Sequence, residues 1–158
     1  MNMKTLLMVS LVGAFSVMGL TLSSAFSEES KNKGIGLIIG EPTGISLNYR
    51  LSAANAIDGA IAWSFVDDNK FHLHADYLFS KKDLLNIDKV KLDVYFGGGV
   101  RFKDEKQSLL GVRIPVGVSY FFKQQPIDIF LELAPILDLI PSSDISFNAA
   151  IGARYYFN

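Results

Sequence analysis

The chain has 158 residues, of which 49% are hydrophobic and 12% aromatic, and its 15 basic and 16 acidic residues give a formal net charge of −1. This length accommodates one domain, and the balanced charge gives no electrostatic basis for binding nucleic acid. Because the chain has no cysteine, it can form neither disulfides nor thiolate metal sites.

The first 25 residues have the pattern of a secretory signal peptide. Lys4 supplies a positive charge, residues 6–22 carry no charge, and 23–25 are small residues suited to cleavage. We therefore predict a signal peptide over 1–25 and one domain over 26–158, with an uncleaved N-terminal anchor as the alternative. Beyond residue 25 no apolar run reaches the roughly 18 residues of a membrane helix. A membrane location would therefore require a β-barrel.

Eight stretches of alternating apolar and polar residues follow, separated by turn-like clusters: 34–40, 43–51, 56–65, 70–80, 90–102, 109–122, 127–138 and 144–157. A period of two residues indicates β-strands, and an even number of strands suits a small closed barrel. We expect a bulge or an early strand end at Pro115 and at Pro135, because proline cannot donate to a neighbouring strand. The connection 81–89 could hold a helical turn or extend its neighbouring strands.

One face of these stretches is apolar and uncharged, and the other is polar. The polar face carries five basic and five acidic side chains: Arg50, Lys91, Arg101, Arg113, Arg154, Asp58, Asp76, Asp93, Asp128 and Glu132. It also carries many glycines and alanines, and we expect other side chains to come close at Gly97 and Gly99. Small residues fit the narrow interior of an eight-stranded barrel. The polar face is therefore predicted to line the interior, and the apolar face to meet lipid.

Aromatic residues on the apolar face fall into two groups, one at each rim if both chain ends lie on one side. The group far from the chain ends is Trp63, Phe65, Phe71, Phe102 and Phe147, and the group near them is Tyr49, Tyr77, Phe79, Tyr120, Tyr155 and Phe157. Aromatic rings favour the headgroup level of a membrane. We therefore predict an all-β, eight-stranded antiparallel transmembrane up-and-down β-barrel in the bacterial outer membrane. Its expected partners are outer-membrane lipid and, during insertion, the barrel-assembly machinery.

Five segments resemble a known family. They are "GLIIGEPTGISLNY" (36–49), "HLHADYLF" (72–79), "GVRIPVGVSYFF" (111–122), "DIFLELAPILDLIPS" (128–142) and "AIGARYYF" (150–157). They are similar to small outer-membrane β-barrel proteins, best known from spirochaetes and grouped with OmpA-like barrels. The resemblance covers essentially the whole mature chain and implies the barrel fold, but this family has no established activity and supplies no catalytic residues. Outer-membrane barrels commonly end in an aromatic residue, whereas here Asn158 follows Phe157.

The charges of the polar face predict a plugged interior, because buried charges are costly unless they are paired. We therefore expect a structural or surface-interaction role, with no enzymatic activity and no cofactor. A small gated channel for water or ions, lined by the same charges, is the main alternative. The connections opposite the chain ends, such as "EP", "VDDN" and "KDEKQS", are short, which leaves little loop surface for an unidentified surface ligand.

His72, His74 and Asp76 share one face of the fourth stretch. Imidazole and carboxylate groups at this spacing could bind Zn²⁺ or Cu²⁺. They could also form a His–Asp pair beside Ser64 or Ser119 in a lipid-acting hydrolase. The expected role of these side chains is to join the hydrogen-bonded filling of the interior, so that we predict no metal.

Overall fold

The computed structural model describes residues 31–63 and 70–158. Within these ranges the chain is all-β, with nine strands: β1 (Lys33–Gly40), β2 (Gly44–Arg50), β3 (Asn55–Trp63), β4 (Phe71–Ile87), β5 (Val90–Asp104), β6 (Ser108–Arg113), β7 (Val116–Phe121), β8 (Ile127–Ile140) and β9 (Asp144–Phe157). The predicted signal peptide, Ser64 and Phe65 lie outside the described residues. In the described part of the chain, no helix is long and apolar enough to cross a membrane.

The strands form one antiparallel sheet that rings round on itself. β1 pairs with β2 on one side and with β9 on the other, and the chain of pairings continues through β3, β4, β5 and β8 back to β9. β6 and β7 each pair with both β5 and β8, so together they occupy one position in the ring. The predicted all-β antiparallel architecture is confirmed.

The sixth predicted stretch forms two strands instead of one, which gives nine strands in the described residues instead of eight. β6 ends and β7 begins on either side of Ile114 and Pro115, because Pro115 has no N–H to donate to the ladder. Pro135, in contrast, stays inside β8 opposite Phe147, so the interruption predicted there does not occur. Its carbonyl accepts a hydrogen bond from the Ile114 N–H at 3.0 Å. The missing donor of Pro135 therefore faces the gap between β6 and β7.

β4 and β5 extend past their other neighbours as a projecting hairpin. They join at Asp88 and Lys89, whose φ angles of 46° and 69° suit the two-residue turn of a tight hairpin. The pairing of the two strands shifts register between Lys81 and Leu85. Segment 81–89 therefore extends β4 as far as Ile87 and supplies the two-residue turn, and it forms no helical turn.

Charged and polar side chains fill the interior of the ring together with a smaller apolar cluster that includes Leu78 and Phe130, and large apolar side chains cover its outer face. Asp58 and Arg113 in the interior are only 5% and 1% exposed. On the outer face, Leu37, Ile145 and Phe147 are 65–67% exposed. This distribution inverts the usual one, in which ionised side chains are at the surface and large apolar ones are inside.

Inward-facing glycines let large interior side chains approach the sheet. A Cβ atom at Gly99 would collide with Asp76 Oδ1, and one at Gly117 would collide with the Tyr95 ring. At Gly98, the outward-facing neighbour of Gly99, no described atom lies within 4 Å of the Cβ position. Gly99 therefore marks a close approach, as its sequence context predicts.

Candidate functional site

Three arginines reach across the interior and define its charged filling. Arg101 lies on β5, Arg113 on β6 and Arg154 on β9, and they are 3%, 1% and 5% exposed. Each contacts carboxylates that other strands supply. Buried ion pairs are tolerated when both partners are well hydrogen-bonded. The number of hydrogen bonds that each arginine makes therefore indicates how well its network is satisfied.

The Arg154 network consists of Arg154, Asp58, Asp128, Asn48 and Tyr156. Arg154 donates from Nε and Nη2 to the two oxygens of Asp128, at 3.1 and 2.9 Å, and from Nη1 to Asp58 Oδ1 at 2.6 Å. Asn48 Nδ2 donates to the same Asp58 oxygen at 2.9 Å, and the Tyr156 hydroxyl donates to Asp128 Oδ2 at 3.0 Å. Every guanidinium nitrogen therefore has a carboxylate partner, which ties β3, β8 and β9 together.

The Arg113 network consists of Arg113, Asp76, Glu132 and Tyr95. Arg113 Nη2 and the Tyr95 hydroxyl donate to the two oxygens of Glu132, at 2.5 and 3.0 Å. Arg113 Nε lies 3.1 Å from Asp76 Oδ1, an ion pair without hydrogen-bond geometry. Among the described residues, Arg113 Nη1 and both Asp76 oxygens are buried without a hydrogen-bond partner. This network is therefore less well satisfied than the Arg154 network.

The Arg101 network consists of Arg101, Asp138 and Ser146. Arg101 Nη2 donates to both oxygens of Asp138, at 2.5 and 2.7 Å, and the Ser146 hydroxyl donates to Asp138 Oδ2 at 3.1 Å. Asp138 is absent from the predicted interior charges. Because it falls on the same alternating face as Asp128 and Glu132, the period-two pattern could have identified it.

Three of the ten predicted interior charges lie outside these networks. Arg50 is half-buried, and its guanidinium group lies 4.1 Å from the centre of the Phe121 ring. Lys91 is exposed and Asp93 half-buried, because both belong to or adjoin the projecting hairpin, where fewer strands surround them. The other seven are buried: Asp58, Asp76, Arg101, Arg113, Asp128, Glu132 and Arg154.

The two histidines face the interior on β4, next to Asp76. His72 Nε2 lies 3.2 Å from His74 Nδ1, and His74 Nε2 lies 3.7 Å from Asp76 Oδ2, a distance too long for a hydrogen bond. Donor atoms of Asp58, His74 and Asp76 all lie within 4.8 Å of one another. The sequence suggested His72, His74 and Asp76 as potential metal ligands. In the structure, Asp58 takes the place of His72 in this group.

The structure does not bring Ser119 to the histidines. His74 pairs in register with Arg101 on β5, whereas Ser119 pairs with Asp93 on the same strand. The eight residues that separate these two β5 positions span about 26 Å at the usual rise of a strand. Ser119 is therefore too far away to act as a nucleophile activated by His74.

A small cleft opens at the end of the interior from which the hairpin projects. It has a volume of about 40 Å³, and its lining includes Arg50, Tyr95, Ser119 and Tyr156. This volume holds only about three water molecules. The cleft is therefore too small for a sizeable organic ligand.

The predicted interface aromatics in the described residues are half-buried or exposed: Tyr49, Trp63, Phe71, Tyr77, Phe79, Phe102, Tyr120, Phe147, Tyr155 and Phe157. At one rim Trp63 pairs in register with Phe71, and the Phe71 and Phe102 ring centres lie 6.3 Å apart. At the other rim the Tyr77 and Phe79 ring centres lie 5.2 Å apart. The strand register therefore groups these rings near the two ends of the apolar face.

Comparison of the chain with protein-family models, curated proteins and solved structures finds no match. The arrangement of the ring itself is therefore the basis for a functional assignment. It combines an antiparallel sheet that rings round, an exposed apolar outer face and a charged, buried interior.

Proposed function

We propose that this protein is a transmembrane β-barrel of the bacterial outer membrane, with eight strand positions and an interior sealed by paired charges. Its role is structural and non-enzymatic. The observation that carries the proposal is the inverted distribution of side chains: Arg113 and Arg154 are buried inside the ring, whereas Leu37 and Ile145 are largely exposed outside it.

Lipid would remove the cost of the exposed apolar face. Soluble monomers rarely expose contiguous apolar patches larger than a few hundred Å², yet outward residues on every side of the ring are exposed here, among them Ile39 on β1, Phe96 on β5 and Leu131 on β8 (63%, 58% and 57%). In a bilayer this face would contact acyl chains, and the aromatic residues at its two ends would lie at the headgroup level.

Ring closure supports the same proposal. Within a membrane every backbone N–H and C=O must be paired inside the protein, which leaves helices and closed barrels as the structures that span it. The pairing of β1 with β9 joins the two ends of the sheet over eight residue pairs, Lys33↔Phe157 to Gly40↔Ala150. No described strand is therefore left with a fully unpaired edge along the ring.

The interior supports a sealed barrel better than a channel. Arg154 bridges Asp58 on β3 and Asp128 on β8, and Arg113 bridges toward Asp76 on β4. An eight-stranded barrel is just wide enough for its side chains to fill, and these bridges cross that space. The resemblance to OmpA-like barrels agrees with this proposal.

Membrane insertion is tested with the single tryptophan, Trp63, which lies on the outer face. In vesicles whose acyl chains carry bromine near the headgroups, the fluorescence of Trp63 should be quenched. The control protein combines Trp63→Phe with Lys91→Trp, which moves the tryptophan to the exposed hairpin and should escape quenching. Equal quenching of both proteins, or of neither, would contradict the proposed insertion.

Sealing is tested by single-channel recording in planar bilayers, with wild type compared with Arg113→Ala and Glu132→Ala. We expect no conductance steps from the wild type, because its interior bridges occupy the path. If the wild type instead shows discrete openings, and if their ion selectivity shifts in either variant, the interior charges line a channel.

The projecting hairpin favours a second role, the recognition of a protein partner. Four apolar side chains of this hairpin are 41–58% exposed: Leu84, Leu85, Ile87 and Val90. They are exposed because the hairpin extends beyond the neighbouring strands of the ring. Because they are exposed, Leu84→Ser combined with Ile87→Ser should leave insertion unchanged. Loss of a specific crosslink from this hairpin to an envelope protein in cells would support the role, and a hairpin that forms no crosslink in the wild type would contradict it.

A further inference from the structure

The interior contains a group of side chains that the proposed structural role does not require. We propose that Asp58, His74 and Asp76 form a buried binding site for a divalent transition-metal ion, with Zn²⁺ the best match to the donor atoms. The three residues are 5%, 2% and 3% exposed. The site depends only on the folded ring and not on whether lipid surrounds it.

Strands β3 and β4 bring the three donors together. Asp58 and Asp76 are direct register partners on the two strands, and His74 precedes Asp76 by two residues, so that both side chains face the interior. In a tetrahedral zinc site with bonds of about 2.1 Å, ligand atoms lie about 3.4 Å apart. The separation of 3.7 Å between His74 Nε2 and Asp76 Oδ2 is close to that value. The donor atoms of all three residues lie within 4.8 Å of one another, so side-chain movements of up to about 1.4 Å would bring the set to zinc-ligand spacing.

Unsatisfied atoms point into this group. Within the described residues, His74 Nε2 and both oxygens of Asp76 are buried and have no hydrogen-bond partner. Buried polar atoms are normally satisfied, and exceptions occur at ligand and ion sites. A metal ion between His74 and Asp76 would satisfy Nε2 and Oδ2 together.

The second histidine holds His74 in the orientation that a ligand needs. His74 Nδ1 lies 3.2 Å from His72 Nε2. If Nδ1–H donates to His72, the lone pair of His74 Nε2 is directed toward the carboxylates. Metal-binding histidines almost always use their other ring nitrogen for such a hydrogen bond, so His72 acts as a positioning residue for His74.

The charge balance of the interior favours a cation. The buried charged side chains among the described residues are five carboxylates and three guanidinium groups: Asp58, Asp76, Asp128, Glu132 and Asp138 against Arg101, Arg113 and Arg154. When all eight groups are ionised, five negative and three positive charges leave an excess of two negative charges, and like charges directly opposite on neighbouring strands, as at Asp58 and Asp76, are destabilising. One divalent cation between these two carboxylates would balance the excess.

The neighbouring arginines contact only one oxygen of each carboxylate. Arg113 Nε approaches Oδ1 of Asp76, whereas Oδ2 is the oxygen nearer to His74. Arg154 and Asn48 both donate to Oδ1 of Asp58. Each carboxylate can therefore bind its guanidinium group through one oxygen and a metal ion through the other.

The donor set selects among metals. Ca²⁺ and Mg²⁺ prefer shells made of oxygen atoms only, whereas one imidazole nitrogen with carboxylate oxygens suits Zn²⁺ and related transition metals. Since His72 and His74 are the only histidines in the chain and there is no cysteine, any zinc–imidazole bond must form at this position.

The test uses the full mature chain, refolded in detergent without a histidine tag and freed of metal by a chelator. Titration with Zn²⁺, followed by calorimetry, should give one site per chain. Because the chain has only two histidines, the same titration followed by NMR of the imidazole nitrogens should shift the Nε2 signal of His74. A folded wild type that binds no zinc, or binds it without shifting a histidine signal, overturns the proposal whether or not any variant folds.

Substitutions distinguish zinc binding at this site from nonspecific attraction of the cation to buried carboxylates. His74→Gln and Asp76→Asn should weaken zinc affinity at least about 100-fold, and His72→Phe about 10- to 100-fold. Asp138→Asn, which removes a buried carboxylate of the Arg101 network but no zinc ligand, should weaken zinc affinity far less than either ligand substitution. Retained affinity in folded His74→Gln, or an equal loss in Asp138→Asn, would overturn the proposal. A failure here would leave the tryptophan-quenching result, and with it the proposed membrane insertion, unaffected.

Discussion

The Arg154 and Arg113 networks use the same residue types but differ in how completely they are bonded. Each places one arginine between two carboxylates inside the ring. All three guanidinium nitrogens of Arg154 donate hydrogen bonds. Arg113 donates only one hydrogen bond among the described residues, and its neighbour Asp76 accepts none.

This difference separates a stabilising role from a binding role. A fully bonded buried ion pair closes the interior and holds the strands in place, whereas a half-satisfied polar group carries a desolvation cost that only a further partner removes. We therefore assign closure of the ring mainly to the Arg154 network. Asp76 and His74 retain the capacity to bind an ion.

Loss of Arg154 should have the largest effect. Arg154→Ala leaves Asp58 and Asp128 buried without their cation, and removing one partner of a buried pair typically costs about 3 to 5 kcal/mol. We expect the free energy of unfolding to fall by about that amount. Urea unfolding of the protein in vesicles, followed by Trp63 fluorescence, measures it.

Arg154→Lys is the matched control. Lysine keeps the charge but cannot bind Asp128 through two parallel hydrogen bonds, so its stability should fall between those of the wild type and Arg154→Ala. A loss below about 1 kcal/mol in Arg154→Ala, the size expected for an exposed pair, would contradict the assignment of closure to this network.

The strand pattern was readable from the sequence because each strand buries only one face. Alternation placed Asp58 and Arg154 inside and Leu37 outside, and in each case the exposed fraction in the structure agrees. The sequence predicted an interruption at both Pro115 and Pro135, but it could not show that only Pro115 interrupts its strand while β8 stays unbroken. That outcome depends on the partner strand, where Pro135 turns its missing donor toward the gap.

The site was less predictable, because it depends on which side chains meet across strands. Lys91 has the right alternation for an interior charge, but there β5 has only β4 beside it, in the projecting hairpin, and the side chain is exposed. The spacing within β4 brought His72, His74 and Asp76 together. It could not show that Asp58 on β3 faces Asp76, because that contact is set by the register between the two strands.

A pair of amide substitutions compares the two networks directly. Asp128 accepts three hydrogen bonds, two from Arg154 and one from Tyr156, so Asp128→Asn should lower the free energy of unfolding by about 2 to 3 kcal/mol. In metal-free protein, Asp76→Asn should change it by less than about 1 kcal/mol, because Asp76 accepts no hydrogen bond and opposes Asp58. Urea unfolding in vesicles measures both. Equal losses would show that the two networks are equally stabilising.

Two adjacent glycines test how tightly Asp76 is held. A methyl group at Gly99 would collide with Asp76 Oδ1 and the Ala75 carbonyl, whereas Gly98 has open space at its Cβ position. Gly99→Ala should therefore lower the free energy of unfolding by about 1 to 2 kcal/mol, as overpacking does, and it should disturb zinc binding. Gly98→Ala should leave both unchanged. Calorimetry and urea unfolding provide the two measurements, and similar results for both variants would contradict the close approach at Gly99.

The smallest effect is expected at a partly exposed ion pair of similar length. Lys103 Nζ lies 2.8 Å from Glu105 Oε1, but the side chains are 23% and 30% exposed, whereas Arg154 Nη2 and Asp128 Oδ2, 2.9 Å apart, are almost fully buried. Glu105→Gln should change the free energy of unfolding by less than about 0.5 kcal/mol. Burial, and not distance, would then account for the contrast with Asp128→Asn.

The pH dependence of this pair has a defined sign. The hydrogen bond from Lys103 lowers the pKa of Glu105 below the ordinary glutamate value, so its small stabilisation is present above the pKa of the unfolded chain and is lost as the pH falls through the lowered pKa. The difference in stability between wild type and Glu105→Gln should therefore shrink in acid and in 1 M salt, which screens exposed charges. A difference that grew in acid would mean that Glu105 is stabilised in its protonated form, and the pair would then not be a simple exposed salt bridge.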